Sequence, residues 1–308
     1  MKVEVLLTET EIAKEFAESM QARDLPEKFF YWFPLSVNAW TSRQSSALPN
    51  EPKSPWGVIG EHIGPITAHF AKTVPVISLG SGDGKRDLVL LRKLMAGGKP
   101  VHYFPVDASQ TLLEMACAAA EDLDMEGNGI KADISSRMHL LLAADAAEAP
   151  RLFLLAGNTI GGFDPLEQIK IVAECMKPGD RLIVDTEIFS EEAVAAASDA
   201  GARQLAMAPL LSVGVTPENG EINFDHKSDA RHAGLHLITK YFHALEDMAV
   251  TVAGQEISLA RGERIFLNFK YLCTSEAFEW LLVEHGGLKI LGRDTQAAEG
   301  VIRAVCSR

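Results

Sequence analysis

The chain has few cysteines, and they lie far apart. Its 308 residues include only four, Cys117, Cys175, Cys273 and Cys306. A CxxC redox pair or a zinc knuckle needs two thiols close together in the sequence, so neither can form locally. Sparse, separated thiols are typical of proteins in the reducing cytoplasm, where disulfides are rare. The cysteine pattern therefore predicts a cytoplasmic protein.

Positive charge and long apolar runs are also scarce. Lysine and arginine number 29 against 42 aspartates and glutamates, which leaves a formal net charge of −13. Phosphate backbones and anionic membranes repel such a chain, so we expect no nucleic-acid partner and no membrane partner. No apolar run approaches the ~20 residues that span a bilayer. The opening stretch MKVEVLLTETEIAKEF also carries acids where a signal peptide needs an apolar segment.

Between residues 74 and 190, apolar runs alternate with helical stretches. The apolar runs are 74–79, 101–107, 129–133, 151–157 and 181–188, and amphipathic stretches near 85–96, 109–123, 135–147 and 164–176 separate them. Apolar strands joined by amphipathic helices are typical of a parallel sheet that is covered on both faces. The pattern predicts an α/β fold with a doubly wound, Rossmann-like sheet.

This rhythm is absent on either side of the sheet region. Before it come a polar helix at 8–24, an aromatic-rich stretch at 25–40, an irregular stretch at 41–56 and helical spacing at 57–72. After it come an Ala-rich helix at 191–208, strand-like runs at 235–245, 248–258 and 263–273, a helix at 275–286 and a strand at 300–306. Consecutive strands joined by short loops favour antiparallel pairing. We therefore predict a second, smaller α+β substrate or lid domain (1–65 plus 191–273) over the carboxyl ends of the sheet strands of a cofactor-binding domain (66–190 plus 274–308).

A glycine-rich loop, ISLGSGDGK, is the strongest local signal. It follows a buried strand and precedes a helix, which is the context that a cofactor loop requires. Gly80, Ser81 and Gly82 let the backbone approach a ligand closely, and the start of the helix at Lys85 offers free N–H groups. The spacing is GxGxG rather than the GxGxxG of a dinucleotide fold.

Acidic residues end the next two predicted strands. Asp107, followed by Ala108, can accept two hydrogen bonds from a ribose diol. Asp133 can accept a hydrogen bond from the exocyclic amine of adenine, while Ile134 supplies a backbone N–H and an apolar ring contact. Together with the loop, these acids describe an adenosine site without a pyrophosphate site. The expected cofactor is therefore S-adenosylmethionine rather than NAD.

Several segments together resemble one family. LPEKFFY (25–31), SLGSGDGK, PVDAS (105–109), LAGNTIGGFDP (155–165) and KPGDRLIVDTEI (177–188) are similar to segments of the histidine-specific N-methyltransferases, which use S-adenosylmethionine. The resemblance implies a class I methyltransferase sheet and a composite second domain. It also implies that Gly157 and Asn158 lie at the cofactor, and that Phe30 and Tyr31 border the substrate near the sulfonium. Tyr31 is the expected catalytic residue, since its hydroxyl can orient the amine or the methyl group.

The sequence departs from the family where the substrate is expected. Next to Gly161 it has Gly162 in place of the Asn that holds the amino-acid head group. In the family, a Glu and a Ser contact the imidazole of the histidine substrate. Asn268 and Lys270 occupy the corresponding positions here. An Asn offers an imidazole no charge, and a Lys repels a cationic ring, so histidine is expected to be a poor substrate. Two alternatives remain open for the Lys270 side chain. Its ammonium faces an anionic group of the acceptor, or it is exposed to solvent.

Three functions are compatible with these residues. The first is N-methylation of an amino acid or a related small amine. The second is another use of S-adenosylmethionine: methylation of oxygen or carbon, or transfer or cyclisation of the aminocarboxypropyl arm. The third is binding of the cofactor without catalysis, which the intact loop and acids disfavour. No metal is expected, because His232 and His236 have no third ligand nearby and no HExxH motif occurs.

Overall fold

A computed structural model describes residues 1–46, 63–296 and 300–308. The irregular stretch predicted at 41–56 falls partly outside these ranges, but residues 41–46 continue a helix. The helical spacing at 57–72 is described only from residue 63 onward. None of the described helices has the length and apolar character that crossing a membrane requires.

An eight-stranded sheet forms the centre of the fold. Its order is β1-β4-β3-β2-β5-β6-β13-β12. The first six strands run parallel to one another, β13 runs antiparallel to them, and β12 pairs antiparallel with β13. The strand order reverses between β2 and β5, which is where doubly wound sheets bind ligands. The α/β, doubly wound prediction is confirmed. The strands are β1 (Lys2–Val5), β2 (Val74–Leu79), β3 (Val101–Asp107), β4 (Glu126–Lys131), β5 (Leu152–Leu155), β6 (Arg181–Glu187), β12 (Lys289–Gln296) and β13 (Val301–Ser307).

Helices cover both faces of this sheet. Alternate residues of β2 point to opposite faces, so Ile77 and Leu79 join one core while Val74 and Val76 join another. Several helices begin at side-chain caps; Ser109, for example, accepts the N–H of Leu112. The helices are α4 (Ile63–Ala68), α5 (Lys85–Ala96), α6 (Gln110–Glu121), α7 (Arg137–Asp145), α8 (Pro165–Cys175) and α11 (Ser275–Trp280), which continues as a π turn (Leu281–His285).

The KPGD turn before β6 is held by a buried ion pair. Arg151 and Asp180 are both fully buried, and Nη2 of the arginine lies 2.7 Å from Oδ2 of the aspartate. Asp180 also accepts the backbone N–H groups of Arg151 and Lys177, each at 2.7 Å. This motif therefore joins the starts of β5 and β6.

The first strand departs from the expected division of the chain. The prediction places residues 1–65 in the second domain, but β1 pairs in parallel with β4 at the edge of the large sheet. The strand KVEV is short, partly charged and mostly exposed, so it lacks the apolar run that marks the other parallel strands.

The third predicted strand also ends earlier than expected, which leaves Asp133 two residues beyond β4.

A second group of elements packs together from the two ends of the remaining chain. Buried residues between Leu7 and Phe30 share one apolar core with residues between Ala206 and Leu267. The composite second domain and its boundaries stay a prediction. The elements of this group are α1 (Glu9–Ala22), α2 (Phe29–Trp32), α3 (Pro34–Ser46), α9 (Glu191–Ala196), α10 (Ala200–Leu211), β7 (Gly220–Asp229), β8 (His232–Ala244), β9 (Met248–Val252), β10 (Gln255–Leu259) and β11 (Arg264–Cys273).

Three details of this region differ from the prediction. The Ala-rich helix is broken into α9 and α10, because Asp199 caps the second helix through the N–H of Ala202. The run 248–258 is a hairpin, β9–β10, whose turn residues Ala253 and Gly254 both have positive φ. The three-stranded antiparallel sheet β11-β8-β7 includes β7, a strand that no apolar pattern indicated.

Candidate active site

The glycine-rich loop turns between β2 and α5 at the switch point of the sheet. Gly80, Gly82 and Gly84 all have positive φ, at 70°, 55° and 73°. A Cβ on Gly82 would lie 2.9 Å from the ring of Trp40, and one on Gly84 would lie 2.9 Å from the Cβ of Ala116. Glycine is therefore required both by the backbone conformation and by the space available.

Asp107 closes the end of β3 against this loop. Its carboxylate accepts the backbone N–H groups of Gly82 and Ser109, each at 2.9 Å. Burial raises the pKa of Asp107 to about 6. Because a carboxylate has about four acceptor positions, two remain for a ligand such as a ribose diol.

Asp133 is held by a residue that the sequence analysis did not single out. Lys28 Nζ lies 2.7 Å from Asp133 Oδ2, while Ser135 donates to Oδ1 through its N–H and its hydroxyl. Burial acts to raise the pKa of Asp133, but the Lys28 ammonium and the hydrogen bonds from Ser135 together outweigh it, so the pKa is lowered. Lys28 also pairs with Glu15 on α1, so it links α1 to the end of β4.

Ile134 lies next to the glycine loop. A Cβ on Gly80 would be 3.3 Å from Cδ1 of Ile134 and 2.8 Å from Cγ2 of Thr159. The loop, the residue after Asp133 and the turn after β5 therefore meet, as expected for an adenosine site. Lys85 points elsewhere: its Nζ lies 2.7 Å from Asp83 Oδ2, and its side chain is 73% exposed.

Asn158 braces the end of β6 from within the turn after β5. It adopts a left-handed conformation, and its N–H donates to Asp185 Oδ1 at 2.7 Å. Its amide oxygen accepts the hydroxyl of Thr186 at 3.0 Å and the N–H of Glu187 at 3.1 Å. The side-chain oxygen of Asn158 is thus engaged within the protein.

Arg86 and Asp185 lie under the same turn. A Cβ on Gly157 would be 3.1 Å from Arg86 Nη1, which in turn lies 3.7 Å from Asp185 Oδ2. Asp185 is buried, and its Oδ2 has no hydrogen-bond partner. Asp185 is therefore a buried acceptor beside the predicted cofactor residue Gly157, whereas Arg86 was not predicted.

Three of the predicted substrate residues converge on an acid that was not predicted, Glu27. Tyr31 donates its hydroxyl to Glu27 Oε1 at 2.7 Å, and Asn268 donates its amide to Oε2. A Cβ on Gly162 would be 3.0 Å from Oε1. Burial raises the pKa of Glu27. The only sequence signal for this acid is its place within the LPEKFFY segment.

The other predicted substrate residues have different surroundings. Phe30 is 1% exposed within the second core, and a Cβ on Gly161 would be 2.7 Å from the carbonyl of Tyr271, so both contribute through packing. Lys270 is half-buried and forms an ion pair within the protein, because its Nζ lies 2.8 and 2.7 Å from the two oxygens of Glu187.

A cavity of about 310 Å³ opens beside this cluster. It lies between the segment that follows α1, the end of β4, the turn after β5 and strand β11. Its lining residues are Asp24, Leu25, Pro26, Glu27, Lys28, Asp133, Ser135, Gly162, Phe163, Asp164, Phe266, Asn268 and Phe269. The cavity thus joins the predicted adenine end, at Asp133, to the predicted acceptor end, at Asn268.

Comparison with known proteins agrees with the sequence resemblance. A family model described as histidine-specific methyltransferase, SAM-dependent, matches residues 55–291. No curated protein matches the chain.

Solved structures that resemble this one are distant. An S-adenosylmethionine-dependent methyltransferase from Clostridium acetobutylicum is 13% identical over 88% of this chain and 98% of its own, with a TM-score of 0.47. The CcbJ methyltransferase from Streptomyces caelestis is 13% identical over 84% and 98%, with a TM-score of 0.41. CalS10, an amino pentose methyltransferase from Micromonospora echinaspora, is 11% identical over 90% and 98%, with a TM-score of 0.41.

Proposed function

The chain belongs to the family of histidine-specific, S-adenosylmethionine-dependent methyltransferases, and from that premise we propose that it methylates a nitrogen of an amino acid or a related small amine. The observation that carries the proposal is the cluster formed by Glu27, Tyr31 and Asn268. Glu27 and Asn268 line a cavity that continues to Asp133, where the adenine is expected, and Tyr31 is hydrogen-bonded to Glu27.

The residues at the strand ends fit an adenosine. Asp107 retains acceptor capacity after binding two backbone N–H groups, and Ile134 offers an apolar contact beside Gly80. Asp133 is an acceptor for an adenine amine, with Lys28 holding its carboxylate ionised. When bound, S-adenosylmethionine supplies a methyl group that its sulfonium already activates.

The work of the chain is then positioning and exclusion of water. Methyl transfer needs the nucleophile about 3 Å from the carbon and in line with the breaking bond, so orientation accounts for much of the rate. Tyr31, held by Glu27 on one side and packed edge-on against Trp40 with ring centroids 6.4 Å apart, can orient an amine. Glu27 is a half-buried acceptor for an N–H of that amine.

Product analysis tests the proposal. The protein is incubated with S-adenosylmethionine and a panel of amino acids, histidine included, and of small amines, and the products are identified by mass spectrometry. S-adenosylhomocysteine together with an N-methylated amine is the expected result. Methylthioadenosine, or a methyl group on oxygen or carbon, would contradict N-methylation.

Tyr31→Phe provides a sharper test of the site. It keeps the ring but removes the hydroxyl that Glu27 accepts, so we expect kcat to fall by up to about 100-fold. The Kd for S-adenosylmethionine is expected to stay within about twofold. An unchanged kcat would remove Tyr31 from the reaction.

A further inference from the structure

Lys240 is a cation without a hydrogen-bond partner beside the acceptor cluster. It lies on β8, where its Cα pairs in register with that of Asn268 on β11. Among the residues that the structure describes, its ammonium meets no hydrogen-bond acceptor and forms no ion pair, although its surroundings are buried enough to lower the pKa of Lys240 to about 8. Below that pKa, and so at neutral pH, the ammonium is largely protonated.

The charges around Lys240 are already engaged by other groups. The neighbours that act on it are Glu27, which raises its pKa, and Lys270 and Arg43, which lower it. Lys270 is neutralised by Glu187, and Arg43 by Asp199.

Glu27 does not complete the coordination of Lys240 either. Its two oxygens accept from Tyr31 and from Asn268. Lys240 therefore remains a half-buried cation to which the described part of the protein supplies attraction but no hydrogen-bond acceptor. A carboxylate of a bound molecule would complete its coordination through a charge-assisted hydrogen bond.

Asn268 has a hydrogen-bond acceptor that lacks a donor. Its side chain is nearly buried, with the residue 4% exposed, and it lines the cavity. Its amide nitrogen donates to Glu27, but its Oδ1 has no hydrogen-bond partner. A buried acceptor without a donor costs free energy, which an N–H of a bound molecule would recover.

We propose that Lys240 and Asn268 form an acceptor subsite in which Lys240 binds a carboxylate and Asn268 Oδ1 accepts an N–H of the same molecule. The inference rests on the proposed methylation of an amino compound and narrows it to acceptors that carry an acid. The carboxylate is either that of the amino-acid head group or that of a side chain, and both present the same chemistry to Lys240.

Binding of matched ligand pairs tests the subsite and separates the two sources. Calorimetry on protein saturated with S-adenosylhomocysteine compares L-glutamate with L-glutamine for a side-chain carboxylate, and L-alanine with L-alaninamide for the head group. One pair is expected to show about 10- to 100-fold tighter binding of its carboxylate member, the range expected for hydrogen bonds to a charged group.

Variants assign this preference to Lys240. Lys240→Met is expected to abolish it, and Lys240→Arg to keep most of it. Lys240→Gln gives a second neutral side chain should the Met variant fold poorly. Lys227→Met, an exposed lysine on the neighbouring strand β7, is the matched control and is expected to keep the wild-type preference.

Each outcome decides the inference. Failure of all four ligands to bind, an equal affinity within both pairs, or a preference that survives in Lys240→Met would overturn the subsite. A Lys240→Arg variant that keeps the carboxylate preference but loses kcat would leave the subsite standing and give Lys240 an additional role in the reaction. Lys240-dependent binding without methylation of any ligand would leave the subsite standing and overturn the amine methylation alone.

Discussion

Replacing Asp107 with asparagine tests whether the end of β3 binds the ribose of the cofactor. In the wild-type protein, the Asp107 carboxylate accepts one hydrogen bond from the backbone N–H of Gly82 and one from that of Ser109. The two remaining acceptor positions are those that a ribose diol would occupy. Asp107→Asn keeps the volume and one oxygen, but it places an amide donor where the second oxygen accepted.

The expected magnitude follows from this count. The variant loses at least one hydrogen bond to a charged acceptor, and such bonds contribute about 1.5–3 kcal/mol each. The Kd for S-adenosylmethionine should therefore rise by about 10- to 140-fold.

The pH dependence gives a second signature. Because burial places the pKa of Asp107 near 6 without a ligand, acidification below pH 6 protonates the group that must accept the ribose hydroxyls. Wild-type affinity should fall by about tenfold for each pH unit below 6 and level off above it. Asp107→Asn should remove this dependence.

Isothermal titration calorimetry between pH 5 and 8 measures both effects. Asp122→Asn, an exposed acid at the end of α6, is the control and should bind as the wild type does. Thermal melts confirm that each variant is folded. An unchanged Kd in a folded Asp107→Asn protein would refute the assignment of Asp107 to the cofactor site.

Three further substitutions probe the framework of the site. Lys28→Met leaves the carboxylate that it pairs with buried and without a cation, so urea unfolding should show a loss of about 3 kcal/mol; an unchanged unfolding free energy would contradict this pairing. Asp180→Asn leaves Arg151 buried and uncompensated, and about 3–5 kcal/mol of stability should be lost in the same assay; a loss below 1 kcal/mol would argue against it. Gly82→Ala forces a Cβ toward Trp40 in a left-handed conformation, so calorimetry should show cofactor binding weakened by about 1–2 kcal/mol or more; normal affinity would mean that the loop tolerates a side chain.

The sequence alone was sufficient for the six inner strands of the large sheet and for the glycine-rich loop, but not for the edge strands β1 and β12. Apolar runs alternating with amphipathic helices follow from burial on both faces of a parallel sheet, and this signal is local to each element. The glycines between β2 and α5 and the acid that ends β3 are likewise read within a few residues. The family resemblance depended on the same contiguous segments.

Edges and boundaries carried weaker signals. β1 is a short exposed edge strand, so its charged residues hide its place in the sheet. The run 248–258 is predicted as one strand, but the backbone turns at Ala253 and Gly254 and makes it a hairpin. Burial selects apolar residues, so buried strands can be predicted from the sequence. A turn whose residues have no strong turn preference cannot.

The acceptor side was decided only by the tertiary structure. Glu27 meets Asn268 across 241 positions of sequence, and Lys270 meets Glu187 across 83. Sequence position identified Asn268 and Lys270 as candidates, but it could not say which charges are neutralised inside the protein. Lys240 shows the same limit: whether a lysine has a counterion depends on side chains that distant strands bring beside it. Hydrophobic periodicity can therefore be recognised in the sequence, whereas the pairing of buried charges depends on which side chains the fold brings together.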